Sequence, residues 1–403
     1  MTNGVAKSMS RELRQYLWVT FNYWNFTLTD GALRMLVVLY FHQLGYAPFE
    51  VAMLFLFYEL FGVVTNLIGG WLGARVGLNR IMNIGLALQV VALTMLTVPS
   101  EYLSVVYVMM AQALSGIAKD LNKMSAKSSI KLLLPDSQQG LLFKWVAILT
   151  GSKNTLKGIG FFLGGLLLML FGFQMALALM AAVLSLVFLL SLFFLQADLG
   201  RAKTKPKFSE LFSKSETINI LSAARLCLFA ARDVWFVVAL PIYLAATLGW
   251  SHTEVGAFLA LWIILYGGVQ TIAPKVIGTR SSGEWGAVYW AAVLTVLTAL
   301  IALAVQSAWH PGLIITLGLF LFGAVFAVNS SLHSYLIVRS ASRDGVSLDV
   351  GFYYMANAMG RLIGTLLSGY LFQRYGLAAC LWISALLLLA TVIISLRLPR
   401  RRC

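Results

Sequence analysis

Runs of apolar residues, each long enough to cross a bilayer, recur from one end of this chain to the other. A helix of about 20 residues spans the hydrocarbon core of a membrane. Of the 403 residues, 60% are hydrophobic and 11% are charged, whereas a soluble domain carries roughly 25% charged residues. The sequence therefore predicts an all-α integral membrane protein.

We predict about twelve spanning helices from the positions of these runs. They lie near 16–42, 49–73, 80–99, 101–119, 141–171, 173–195, 218–246, 252–277, 285–306, 311–336, 346–373 and 377–397.

Basic residues are unevenly distributed among the connecting loops. With a cytoplasmic N-terminus, most of the 30 Lys and Arg residues fall at cytoplasmic helix ends, and the opposite loops hold only Arg374. Such an excess on the cytoplasmic side is typical of membrane proteins. We expect a multi-pass protein of the inner (cytoplasmic) membrane with both termini in the cytoplasm. The basic residues behind the net charge of +15 then determine the orientation of the helices in the membrane, and we expect no nucleic-acid partner.

The residues that usually carry metal, disulfide or catalytic chemistry are scattered. Cys227, Cys380 and Cys403 lack metal-ligand spacing, the four His residues are dispersed, and no Asp-rich motif occurs. We expect no metal, no cofactor, no catalytic residue and no enzymatic activity. A membrane-embedded enzyme acting on lipid or isoprenoid phosphate is the alternative from another class. It would need clustered carboxylates or a Ser/His array.

The two halves of the chain repeat each other. Lys157 matches Arg361 and Gly160 matches Gly364, both at the same offset of about 204 residues. The basic stretch 196–217 separates the halves. We therefore predict an N-terminal six-helix bundle over 1–195, a cytoplasmic linker over 196–217 and a C-terminal six-helix bundle over 218–403. Duplicated halves of this kind bind substrate near the bilayer midplane.

Ionisable residues inside predicted spans are the main functional candidates, because each costs about 2.5–3.5 kcal/mol to insert. Basic groups outnumber carboxylates among them, and buried cations need a compensating anion. We therefore expect a substrate with more than one negative charge. The predicted substrate-binding residues are Arg34, Lys153, Lys157, Arg232, Arg361, Tyr23, Tyr353 and Asn357. The predicted proton-coupling residues are Asp30, Glu59 and Asp233.

Several of these residues also have structural interpretations. Asp30 and Arg34 could form an ion pair within one helix, and Glu59 could be a buried partner of Arg34 rather than a proton carrier. Adjacent Arg232 and Asp233 are expected to face different directions. Two further sets of polar residues each have two possible interpretations. Lys119, Lys123 and Lys127 form either a solvated cytoplasmic face or a vestibule that attracts substrate, and Asn329 and His333 are either structural or cavity-lining.

Some segments resemble known transporters. Residues 70–80 resemble the Gly-x-Leu-x-Asp-Arg-x-Gly-Arg signature of the major facilitator superfamily, with Ala74 in place of the Asp. Residues 22–36, 116–123, 151–158 and 231–235 are similar to those of ArsJ-type organoarsenical efflux permeases within that superfamily. The resemblance extends over nearly the whole chain and includes the intramembrane charges.

The ArsJ resemblance implies a function. It implies alternating-access export of 1-arseno-3-phosphoglycerate, which glyceraldehyde-3-phosphate dehydrogenase makes from arsenate, and hence arsenate resistance. That dehydrogenase would be a functional partner, and we expect the permease to act as a monomer, with proton antiport as one means of driving it. The alternative is a major facilitator exchanger or symporter for another organic phosphate or organic anion.

Overall fold

The computed structural model describes residues 2–45, 54–133, 139–195, 199–202, 215–250, 252–278, 283–307 and 310–399. These residues fold into helices joined by short connections. The helices are α1 (Thr2–Gln43), α2 (Leu56–Val76), α3 (Leu78–Met95), α4 (Val105–Leu133), α5 (Gln139–Phe194), α6 (Glu216–Phe236), α7 (Ala239–Ala246), α8 (His252–Ile277), α9 (Glu284–Gln306), α10 (Pro311–Ser340) and α11 (Val346–Ser395). Most of the predicted linker 196–217 lies outside the described residues.

These helices account for the predicted spans. The continuous helix α5 contains two of them, joined at Gly172, where φ is 71°. The helix α11 likewise contains two, joined at Gly376, where φ is 75°. Gly172 and Gly376 are equivalent in the two halves, and glycine adopts this left-handed conformation without a steric penalty. Conversely, the predicted span 218–246 is interrupted between α6 and α7.

The surface of the described helices is apolar enough for contact with lipid. Seven of the helices are long and apolar enough to cross a membrane. Large apolar side chains such as Phe162, Phe193 and Leu366 are exposed, which would be costly in water. This surface is appropriate to a multi-pass membrane protein.

The described chain divides into two compact units. Unit 1 comprises Met1–Leu142, Ser152–Ser213 and Ala341–Met355, and unit 2 comprises Phe143–Gly151, Lys214–Ser340 and Ala356–Cys403. Each unit thus contains most of one sequence half and a short segment of the other, a feature that the domain prediction did not include.

Each unit has its own apolar core. In unit 1, Phe26, Phe41 and Phe173 are among the buried residues of the core that α1, α3, α4 and α5 contribute to. In unit 2, Trp235 and Phe322 lie in the corresponding core, with ring centroids 4.9 Å apart at near-perpendicular planes. Edge-to-face aromatic pairs of this kind add to the free energy of burial.

The helix α4 extends well beyond its predicted end. The predicted span stopped at residue 119, but the helix continues to Leu133. Asp120, Lys127 and Lys131 on this extension are buried. The solvated-face interpretation is therefore wrong for Lys127, while the side chains of Lys119 and Lys123 remain partly exposed.

Candidate functional site

Two polar contacts join α1 to α2 in unit 1. The Tyr58 hydroxyl donates a hydrogen bond to Asp30 Oδ1 at 2.6 Å, and Arg34 Nη2 lies 3.2 Å from Glu59 Oε1. In the part of the chain that is described, Arg34 pairs with Glu59 and not with Asp30 of its own helix. Side-chain exposure is 28% for Arg34 and 35% for Glu59, so this ion pair is open to a ligand or to water.

A second charged cluster of unit 1 lies on α4. The ammonium of Lys123 contacts Asp120 Oδ1, and the ammonium of Lys119 lies 3.8 Å from Asp120 Oδ2. Lys119 Nζ also lies 3.7 Å from the centroid of the Tyr58 ring, within the range of a cation–π interaction. Tyr58 thus connects this cluster to Asp30, the carboxylate it binds on α1.

Glycines bring α2 and α4 close enough for these contacts. A Cβ at Gly116 would lie 2.9 Å from the Cα of Tyr58, and a Cβ at Gly62 would lie 2.8 Å from Asp120 Oδ2. Any larger residue at either position would meet backbone or a buried carboxylate. Small residues at these crossings therefore position Tyr58 and Asp120.

Lys157 is positioned by a similar helix crossing. A Cβ at Gly31 on α1 would lie 2.8 Å from the carbonyl oxygen of Lys157 on α5, and one at Gly160 would lie 2.6 Å from the carbonyl oxygen of Leu28. The Lys157 ammonium interacts electrostatically with Arg34 and Asp30, and less strongly with Lys119 and Glu59. Lys157 forms no ion pair with any other residue that the structure describes, so it adds to the positive charge of unit 1.

In unit 2, one carboxylate binds two guanidinium groups. Asp233 Oδ1 accepts a hydrogen bond from Arg232 Nε at 2.6 Å, and Asp233 Oδ2 accepts one from Arg361 Nε at 3.3 Å. Arg232 and Asp233, which we expected to face somewhat different ways, are thus joined by a direct hydrogen bond. The Asp233 side chain is 1% exposed, while Arg361 remains 35% exposed. The three side chains of this cluster together carry a formal charge of +1.

Arg225 has a separate, buried environment. Its Nε donates to Asn357 Oδ1 at 2.9 Å, its Nη1 donates to the Ser330 hydroxyl and carbonyl, and its guanidinium lies 4.0 Å from the Phe229 ring. The predicted substrate-binding residue Asn357 thus contacts Arg225.

The other predicted site residues take several positions. Tyr23 and Tyr353 are buried, and the Tyr353 ring lies 5.1 Å from that of Tyr354. Lys153 is partly exposed on α5, one turn before Lys157. Asn329 and His333, by contrast, are fully buried on α10; their side-chain nitrogen and oxygen atoms have no hydrogen-bond partner among the described residues.

Four residues of the α4 cluster and its Tyr58 contact were absent from the predicted substrate-binding and proton-coupling sets: Tyr58, Lys119, Asp120 and Lys123. Tyr58 carries no charge and stands in an apolar run, so it gave no signal. Asp120 and Lys123 lie three residues apart, a spacing that predicts one helix face. No proline occurs between Ser115 and Leu133. That absence would have justified extending the predicted helix over Asp120 and Lys123.

Two helical units with apolar surfaces and partly exposed basic clusters are typical of a membrane transporter. The sequence model of the Major Facilitator Superfamily matches residues 19–235 and 221–402. The chain therefore belongs to the major facilitator superfamily.

Solved structures show the same fold. The human organic anion transporter TETRAN has 17% identity and a TM-score of 0.73, covering 96% of this chain and 99% of that chain. The E. coli fucose:proton symporter FucP has 14% identity and a TM-score of 0.74, covering 96% and 100%. A bacterial homologue of the iron transporter ferroportin, in its outward-facing state, has 15% identity and a TM-score of 0.75, covering 95% and 98%. No curated protein matches the sequence.

Proposed function

We propose that this transporter exports an organic anion with more than one negative charge from the cytoplasm by alternating access. The observation that carries the proposal is the cluster of Arg232 and Arg361 on the carboxylate of Asp233, in which Arg361 stays 35% exposed. A guanidinium donates two parallel hydrogen bonds to a carboxylate or phosphate, so an exposed arginine in such a cluster suits an anionic ligand. Lys157 supplies a corresponding cation in unit 1.

The specific substrate we propose is 1-arseno-3-phosphoglycerate, as the ArsJ resemblance implies. This molecule has an anionic group at each end. Basic clusters in both units suit such a molecule better than a singly charged one. Proton entry would drive export, with Asp30, Glu59 or Asp233 as the titrating group. We further propose that both termini are cytoplasmic and that the protein lies in the inner membrane.

The test is uptake into everted membrane vesicles. One reaction contains arsenate alone, and the other contains arsenate with glyceraldehyde-3-phosphate dehydrogenase, glyceraldehyde 3-phosphate and NAD. We expect arsenic to accumulate several-fold more in the second reaction and only in vesicles that contain this protein. Equal accumulation in the two reactions would exclude the organoarsenical as substrate. In that case, 3-phosphoglycerate and other organic phosphates would be tested as competitors of uptake, and a phosphate that competes would be identified as an alternative substrate.

Variants test the basic residues in the same assay. We expect Arg361→Gln and Lys157→Gln to abolish uptake while each protein still inserts into the membrane. Lys144→Gln is the matched control, because Lys144 is an exposed lysine on α5 and has no part in the clusters. Uptake at the unaltered rate in both Arg361→Gln and Lys157→Gln would show that these residues do not bind substrate.

A further inference from the structure

We propose that Lys119 and Lys123 form an anion-binding subsite of unit 1 and that Asp120 is its internal competitor. In this arrangement the carboxylate pairs with both ammonium groups and cancels one of their two charges when no substrate is bound, and a tetrahedral oxyanion such as a phosphate end group displaces it. This inference rests on the proposed function, since it needs an anionic substrate.

Exposure distinguishes the lysines from the carboxylate. The side chains of Lys119 and Lys123 are 18% and 13% exposed, whereas that of Asp120 is 3% exposed. An anion that reaches this part of unit 1 therefore meets ammonium groups before it meets the carboxylate. The three residues together carry one net positive charge, which attracts an anion even while Asp120 is in place.

Aromatic rings fix the two lysines. The Lys119 ammonium lies 3.7 Å from the Tyr58 ring centroid, and the Lys123 ammonium lies 4.8 Å from the Tyr354 ring centroid. A cation held over a ring face keeps its position with fewer hydrogen bonds to the protein. Each ammonium has three N–H donors, so donors remain for an oxyanion alongside the contact with Asp120.

The position of Asp120 allows it to compete. Its carboxylate lies within reach of both ammonium groups and occupies the space that Gly62 leaves on α2. A phosphate with two negative charges binds ammonium groups more strongly than a carboxylate with one. Asp120 can thus occupy both ammonium groups in the absence of substrate and yet yield to substrate, and its return would help the substrate to leave.

The series continues along the same face of α4. Lys127 lies one turn beyond Lys123, and its ammonium is 5.6 Å from the Tyr354 ring centroid. Lys127 is buried, so we assign the subsite to the two lysines that remain partly exposed.

The test is calorimetric binding of 3-phosphoglycerate to the purified, detergent-solubilised protein. We expect Lys119→Gln to weaken binding about tenfold, because a charge-assisted hydrogen bond is lost. In that variant Asp120 still neutralises Lys123. The double variant Lys119→Gln/Asp120→Asn frees Lys123, so we expect it to bind more tightly than the single variant. Lys144→Gln should bind like the unaltered protein.

The double variant removes one positive and one negative charge, so the cluster keeps the net charge of the unaltered protein. We therefore expect the double variant to fold. A double variant that binds no better than Lys119→Gln would overturn the competitor role of Asp120. If Lys119→Gln and Lys123→Gln both bind as the unaltered protein does, the subsite is wrong while the proposed anion transport stands. If the unaltered protein binds neither 3-phosphoglycerate nor the arseno compound, the proposed function fails together with the subsite.

Discussion

At the residue scale, the carboxylate of Asp233 is the shared counter-ion of two arginines. It is almost fully buried and accepts hydrogen bonds from Arg232 and Arg361. Removing one partner of a buried ion pair leaves uncompensated charge, which is more costly than removing both. The two arginines would repel each other if this carboxylate were lost.

We therefore predict that Asp233→Asn destabilises the protein by as much as about 3 kcal/mol. A lower melting temperature in detergent would measure this loss. The double variant Asp233→Asn/Arg361→Gln removes one of the repelling cations and should recover part of the stability but none of the transport. A double variant no more stable than Asp233→Asn would contradict the role of Asp233 as shared counter-ion.

Tyr58 offers a second test at the level of one atom. In Tyr58→Phe the buried carboxylate of Asp30 loses its hydrogen-bond donor, at a cost of about 1–3 kcal/mol. The ring that Lys119 contacts would remain. Thermal unfolding in detergent measures the cost, and Tyr40→Phe is the control because Tyr40 packs by stacking on Phe173. An unchanged melting temperature for Tyr58→Phe would show that the hydrogen bond contributes little.

At the scale of elements, glycine contacts between helices determine where the charged side chains lie. Gly160 packs against the backbone of α1. Its repeat-equivalent Gly364 packs against the backbone of α6, where an added Cβ would lie 2.7 Å from the carbonyl oxygen of Ala230. Lys157 and Arg361 each lie one turn before these glycines. The same crossing therefore places a basic group in each unit.

Gly160→Ala should separate α1 from α5 and lower stability by about 1–3 kcal/mol, because backbone cannot move aside as a side chain can. Transport should fall as Lys157 is displaced. Gly165→Ala is the matched control on the same helix, since a Cβ there would lie 3.7 Å from Leu39 Cδ1, an ordinary contact. Similar melting temperatures for the two variants would contradict the close-packing account.

Hydropathy predicted the helices well but not their ends. The breaks at Gly172 and Gly376 agreed with the predicted span boundaries, because glycine interrupts an otherwise apolar run. The end of α4 was misplaced, because lysines four residues apart are typical of a solvated face. The Arg34–Glu59 pair was one of the two interpretations offered for Glu59. The pairing of Arg361 with Asp233 was not predicted, since it depends on how two helices pack. The intramembrane charges themselves were evident from their cost in lipid.

At the scale of the whole molecule, the topology that we propose can be measured. In a variant whose native cysteines are replaced by serine, Arg374→Cys should react with a membrane-impermeant maleimide in intact cells. Ser342→Cys should react only after permeabilisation, because we expect it on the cytoplasmic side. Both residues are exposed. Labelling of Ser342→Cys in intact cells would reverse the proposed orientation.

The helix crossings at Gly160 and Gly364 have a consequence for how such a transporter diversifies. Main-chain atoms and glycines make these contacts, so the Lys157 side chain is not needed for the crossing, whereas Arg361 also bonds Asp233 on α6. Lysine already stands at one of these equivalent positions and arginine at the other. New ligand preferences could therefore arise by exchanging the basic side chain at position 157 while the α1–α5 crossing stays unchanged.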